Sequence, residues 1–169
     1  QMDEANSVYL ESKNFGNIVE NLENDNSPPV YYFLMAVWVR IFGISEFSAR
    51  IPSGIFSVFS LIAIYILGKT VYDRKTGLLC SFLYMVSPMA IKYTQFARMY
   101  SLLGLLGMLS TLFFMKVFFF EDKHKKHLIS YVIVNIIGTF TQYWFFFIIL
   151  GQAVSYLVVL FNKKSFKRF

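Results

Sequence analysis

Charged residues along this chain come in short bursts, and long stretches between them carry none: Ser53–Gly68, Gly77–Ile91, Met99–Met115 and the double-length run Leu128–Asn162. A helix crossing a membrane needs about 20 mostly apolar residues, about 17–25 in practice. The first two stretches reach that length by taking in Ile51-Pro52, Lys69 and Lys92, whose amines can reach out to the membrane surface. The pattern predicts five membrane helices at about 52–70, 76–92, 98–117, 127–143 and 144–162. A shorter apolar stretch, Asn26–Val39, ends at Arg40 and is short for a span; it predicts a helix over 28–43 lying at, or dipping into, the membrane surface. Ser27-Pro28 supplies a cap and a first-turn proline, and Gly43 a stop. Tyr31, Tyr32 and Trp38 are aromatics of the kind that settle at membrane interfaces. Parity also permits this segment to cross.

Composition agrees with this pattern. Of 169 residues, 56% are hydrophobic and 15% charged, against roughly 45–50% and about 25% in soluble domains. The fold class predicted is therefore an all-α integral membrane protein. The lone Cys80 sits inside an apolar run and has no partner for a disulfide.

A net charge of +6 would suit nucleic acid if it were spread over one surface. Instead, most of the Lys and Arg fall in alternate loops: Lys69, Arg74 and Lys75; Lys116, Lys123, Lys125 and Lys126; Lys163, Lys164, Lys167 and Arg168. That is a positive-inside pattern, so these loops are expected in the cytoplasm, with no nucleic-acid partner. The organisation predicted is an extracytoplasmic loop over 1–51, membrane helices over 52–162 and a basic cytoplasmic tail over 163–169. The acidic residues Asp3, Glu4, Glu11, Glu20, Glu23, Asp25 and Glu46 then lie outside. A chain that opens on that outer loop without an initiating Met is expected to be a piece of a longer protein with a further helix upstream.

Candidate chemistry collects on the outer side: Asp3 and Glu4, Glu46 and Arg50, then Lys92, Tyr93, Gln95, Arg98 and Tyr100, and Gln142-Tyr143. A carboxylate beside low-dielectric lipid becomes more basic and can serve as a general base. An arginine can grip a phosphate with two parallel hydrogen bonds. Together they suit an enzyme whose donor is a lipid phosphate. Plainer readings stand beside each. Adjacent carboxylates on a polar tail are usually solvated, and on a helix they point about 100° apart. An arginine at a helix mouth is commonly an anchor. Glu46 and Arg50 can pair with each other for well under about 1 kcal/mol. The run Lys123-His124-Lys125-Lys126-His127 reads as a topology signal, and neither zinc spacing nor a glycine-rich phosphate loop is present.

The blocks MDEANS, DNSPPVYYFLMAVWVRIFGISEFSARIPSGIFSV, LGKTVYDRKTGLL and SPMAIKYTQFARMYSLLGLL, in that order, resemble the N-terminal part of the dolichyl-phosphate-mannose protein mannosyltransferase-like family. These are membrane glycosyltransferases of the C-type fold that take sugars from polyprenyl phosphates. The resemblance implies that Asp3 is the catalytic base, deprotonating an acceptor hydroxyl for in-line, inverting attack on the donor's anomeric carbon. It implies that Glu4 is the partner of Asp3 in the motif and that Arg98 and Tyr100 line the donor phosphate region; Lys92, a cation of the same outer stretch, is expected to assist in holding the donor phosphate. The implied partners are a polyprenyl-phosphate sugar donor, membrane lipid and a protein, lipid or glycan acceptor; a divalent metal is left open. The chain departs from the family pattern at Ser27, where many relatives have His, at Phe96, where Glu is common, and at Gln142, where His is common. The alternative from another class is a non-catalytic lipid-binding scaffold or a transporter of related fold. Transporters place ionisable groups near mid-membrane, and the centres of these predicted spans carry no charge.

Overall fold

The computed structural model describes residues 29–43, 45–96, 98–120 and 125–161, and among them every regular element is a helix. Helix α1, Val30–Phe42, has 13 residues, about 20 Å at about 1.5 Å per residue, well short of the roughly 30 Å hydrocarbon layer. Its first flanking position is Pro29, with no side-chain cap there; the expected cap at Ser27 lies outside the described residues. It ends at Gly43, whose φ of 79° is open to glycine at no steric cost and whose N–H bonds to the Val39 carbonyl at 2.8 Å. Tyr31, Met35, Ala36 and Val39 form the buried stripe, while Phe33, Val37, Ile41 and Phe42 are exposed.

Helix α2, Glu46–Val71, starts at a Ser45 cap that accepts the Ser48 N–H at 3.0 Å. The sequence predicted a span from about 52, yet the helix begins six residues earlier and carries Pro52 inside it. Proline has no N–H to give the carbonyl four residues back, which here is that of Ser48. The Trp38 indole N–H fills that place, donating to the Ser48 carbonyl at 3.0 Å and tying α1 to α2.

A two-residue turn leads to α3, Arg74–Met85, capped by Asp73, whose carboxylate accepts the Thr76 N–H at 2.8 Å. Those hydrogen bonds from Thr76 hold the Asp73 carboxyl below its ordinary range. Beyond the turn the α2 and α3 backbones touch: a Cβ on Gly68 would lie 2.9 Å from the Gly77 Cα, and one on Gly77 would lie 2.6 Å from the Tyr65 carbonyl oxygen. Close approach through small residues is the main packing device between helices in lipid.

The predicted continuous helix over 76–92 is broken. Pro88 forces Ser87 into an extended conformation (φ −67°, ψ 121°), and the chain resumes as α4, Pro88–Gln95, a helix of 8 residues. There follow α5, Tyr100–Phe118; α6, Lys125–Thr141; a single 3-10 turn, Tyr143–Phe145; and α7, Phe146–Phe161. Three helices are long and apolar enough to cross a membrane, Phe47–Val71, Tyr100–Phe118 and Tyr143–Phe161. The all-α membrane fold is thus present; Pro88 interrupts the helix expected over 76–92, and the described part of α6 has 17 residues, the lower end of the length a crossing needs.

Contacts give the bundle two ends. Ser53 and Ser57, early in α2, bond to the Phe96 carbonyl and the Thr94 hydroxyl, each at 2.8 Å, so α2 and α5 begin at the same end. Phe118 of α5 meets Tyr131 of α6 at 5.9 Å between ring centres, and Phe113 meets His127 at 6.1 Å. Hence Lys69, Arg74, Lys75, Lys116, Lys125 and Lys126 gather at one end, and α1, α4 and the start of α5 at the other. At that second end Phe145 is fully buried, its ring so close to Gly138 that a Cβ there would meet it at 2.5 Å. The core joins Tyr31, Met35, Leu102, Leu106, Val134 and Phe145.

Two outcomes follow for the full-length protein unfolded in detergent. Gly77→Ala is expected to cost about 1–3 kcal/mol of stability through overpacking, whereas Gly151→Ala, with nothing within 4 Å of the added Cβ, is expected to leave it unchanged; equal midpoints would contradict the close contact. Trp38→Phe is expected to cost about 1–3 kcal/mol by orphaning the Ser48 carbonyl, and an unchanged midpoint would show that another group serves it.

Candidate functional site

The short helix α4 and the first half of α5 face each other across a groove of about 620 Å³ whose lining is mainly apolar. Its position follows from the Ser87-Pro88 break, which turns the chain so that α4 can lie against α5. Tyr93 and Tyr100 form its rim, their rings 5.0 Å apart at 33°. The Tyr93 carbonyl also accepts the Ser101 hydroxyl at 2.8 Å, fixing α4 to the first turn of α5. Along α5 the wall is made by Gly104, Gly107, Met108 and Thr111. From Tyr100 to Thr111 is about 16 Å, so the groove runs from one end of the bundle to near its middle. Gly104 has nothing within 4 Å of a built Cβ, so its missing side chain leaves open space, whereas one on Gly107 would meet Ile148 at 3.0 Å, so there the absence of a side chain lets α7 pack close.

The cations predicted for the site stand near this mouth. Lys92 is exposed in the last turn of α4, its Nζ 5.9 Å from the centre of the Phe96 ring. Arg98 is exposed in the link between α4 and α5, and Tyr100 opens α5 half-buried on the rim. The structure therefore brings Lys92, Arg98 and Tyr100 to one end of the bundle, with Tyr93 as a fourth member that the sequence reading named on the outer face and left out of the site. Asp3 and Glu4 lie outside the described residues, as do Ser27 and the side chain of Glu46. Phe96 offers its carbonyl to Ser53, and Gln142 turns the chain between α6 and the 3-10 helix, its carbonyl accepting the Phe145 N–H at 3.0 Å. Among the described residues no three His, Cys, Asp or Glu side chains converge on a point.

A second polar feature was missed by the sequence reading. Near the middles of α5, α6 and α7, Gln152 donates to the Ser110 hydroxyl at 3.0 Å and accepts from the Tyr131 hydroxyl at 2.9 Å, while Ser110 lies 2.9 Å from the Asn135 amide oxygen. Gln152 also approaches Thr111, at the inner end of the groove, at 3.4 Å. These groups are uncharged and mutually satisfied, which is how polar side chains join helices in lipid. The signal was available as single polar residues centred in apolar runs.

A slot with an apolar wall, an aromatic rim and cations at its mouth can take an apolar chain carrying an anionic head. The sequence profile of the dolichyl-phosphate-mannose-protein mannosyltransferase family matches residues 26–169. No curated protein and no solved structure matches the chain. With most of its length covered by that match, and with three helices fit to cross a membrane, the chain belongs to the dolichyl-phosphate-mannose-protein mannosyltransferase family and is in general terms a mannosyltransferase-like membrane glycosyltransferase.

Proposed function

We propose that the protein moves a sugar from a polyprenyl phosphate to an acceptor on the extracytoplasmic side of a membrane that it crosses several times. The observation that carries this reading is the groove between α4 and α5, open at an end bearing Lys92, Arg98, Tyr93 and Tyr100. An isoprenoid chain suits its apolar wall, and the phosphate would remain at the mouth. The basic residues gathered at the opposite end support a cytoplasmic assignment for that end, which makes the mouth extracytoplasmic.

In this mechanism Asp3 takes the proton from an acceptor hydroxyl, with Glu4 beside it. The acceptor oxygen bonds to the anomeric carbon from the face opposite the phosphate, the bond from that carbon to the phosphate oxygen breaks, and polyprenyl phosphate leaves. Arg98 and Lys92 balance the charge that grows on the departing phosphate; Tyr100 packs at the head of the chain. The buried cluster around Gln152 lies where a transporter would carry its substrate site, but it is uncharged and bonded to itself, so it supports the enzyme over the transporter. A scaffold binding the same lipid would use the same groove and differ in having no transfer.

Two measurements on the full-length protein test this reading. Asp3→Asn is expected to lower transfer of labelled sugar from a polyprenyl-phosphate donor by about 100-fold or more; a wild-type rate would remove Asp3 from the mechanism, and donor binding with no transfer by the wild type would favour the scaffold. Gly104→Leu, which places a side chain in open space on the groove wall, is expected to raise KM for the donor about tenfold, close to 1.4 kcal/mol, with the unfolding midpoint unchanged. An unaltered KM would place the lipid elsewhere.

A further inference from the structure

The groove between α4 and α5 has a definite depth, and two helices measure it independently. Along α5 its lining runs from Tyr100 to Thr111, about 16 Å at about 1.5 Å per residue. Along α2 its head is marked by Ser57, whose hydroxyl meets that of Thr94 at 2.8 Å beside the rim residue Tyr93, and its deepest lining residue is Leu67. From Ser57 to Leu67 is about 15 Å.

Below that level the helices close. Gly68, next to Leu67, lies so near Gly77 that a Cβ on it would stand 2.9 Å from the Gly77 Cα, which leaves no room for a lipid chain between α2 and α3. On α5 the wall, apolar from Leu103 to Met108, turns polar at Thr111, whose hydroxyl donates to the Gly107 carbonyl at 2.9 Å and lies 3.4 Å from the Gln152 amide nitrogen. Met89 lines the groove and is nonetheless exposed, so one side stays open. An isoprene unit adds four carbon–carbon bonds of about 1.5 Å, about 5 Å of extended chain, so the depth takes about three units. Their roughly 15 carbons, at about the 30 Å³ that a water-sized group takes up in a liquid, also fit the groove's volume of about 620 Å³.

We infer that the groove holds about the first three isoprene units of the donor, counted from the phosphate, and is indifferent to the rest, which leave through its open side. Gly104 is the residue that sets this length. It stands about 6 Å below Tyr100, one unit into the groove, and its open space admits the second and third units. This rests on the reading that the protein binds a polyprenyl phosphate, and it adds the class of lipid: polyprenyl phosphates of about three units and longer engage the groove equally.

The test uses the full-length protein in detergent and isoprenyl phosphates of one, two, three, four and eleven units, with Kd measured for the wild type, Gly104→Leu, Gly104→Ala and Gly151→Leu. Gly151 is exposed on α7 with nothing within 4 Å of an added Cβ, so it controls for a side chain added away from the groove. Dividing each variant's Kd by the wild-type Kd for the same lipid cancels that lipid's partition into the micelle. For Gly104→Leu the expected ratio is near one with a single unit, rises to about ten at three units and stays there through eleven. Gly104→Ala, with its smaller side chain, is expected to break at the same length with a lower plateau, and Gly151→Leu to stay near one throughout. A Gly104→Leu ratio that goes on climbing beyond three units, or that has its full value with a single unit, would overturn the inference. So would a ratio of one at every length. Wild-type protein that binds none of the series would defeat the lipid-phosphate reading itself, an outcome distinct from the other three.

Discussion

A polar group in a lipid-embedded bundle must find its partner inside the protein, and this constraint shapes the molecule more than any apolar contact. Each unpaired group costs free energy on the scale of a whole hydrogen bond, while side chains facing lipid gain little by moving inward. The joints between helices are accordingly polar or glycine-lined. Pro52 leaves the Ser48 carbonyl open, and Trp38 closes it. Ser53 and Ser57 hold the end of α4 against α2. Ser110, Tyr131, Asn135 and Gln152 join α5, α6 and α7. At Gly68 and Gly77 the backbones themselves meet. Large apolar side chains such as Phe147, Leu157 and Val158 stay exposed, as a lipid environment permits.

These joints place the groove. The Ser101 bond to the Tyr93 carbonyl and the two bonds from α2 fix α4 across the head of α5. Gly104 of α5 then leaves space along its wall where a larger residue would fill it. The apolar wall is lined at one end by Tyr93 and Tyr100, with Lys92 and Arg98 close by in the chain. Membership of the family supplies the transfer chemistry in general terms, and the groove supplies the reason why a lipid-linked donor would seat here.

Much of the fold could be read from the chain, because a charge-free run long enough to cross a membrane is a one-dimensional signal. The helices at Tyr100–Phe118 and over Leu128–Asn162 were legible in this way. The break at Ser87-Pro88 was less so, since both residues sit within an uncharged run and the cue is a backbone constraint, not hydropathy. The site was legible only in part. Lys92, Arg98 and Tyr100 could be assigned to one end from topology and resemblance, but the groove depends on which face of α5 carries Gly104, Gly107 and Thr111. Their spacing of three and four residues marks a shared face without saying what it faces. The burial of the Tyr31 hydroxyl beside Ser53 could not be read at all, because it is a property of three-dimensional neighbours.

The central claim is that the isoprenoid chain of the donor lies between α4 and α5. It is tested most directly by photocrosslinking the full-length protein with a polyprenyl phosphate bearing a diazirine partway along its chain, then mapping the labelled residues. The account predicts labels on α5 at Leu103, Gly104 and Met108 and on α4 at Met89 and Ala90, competed away by unlabelled polyprenyl phosphate. Labels confined to the exposed face of α7, at Leu157 and Val158, and insensitive to competitor would contradict it.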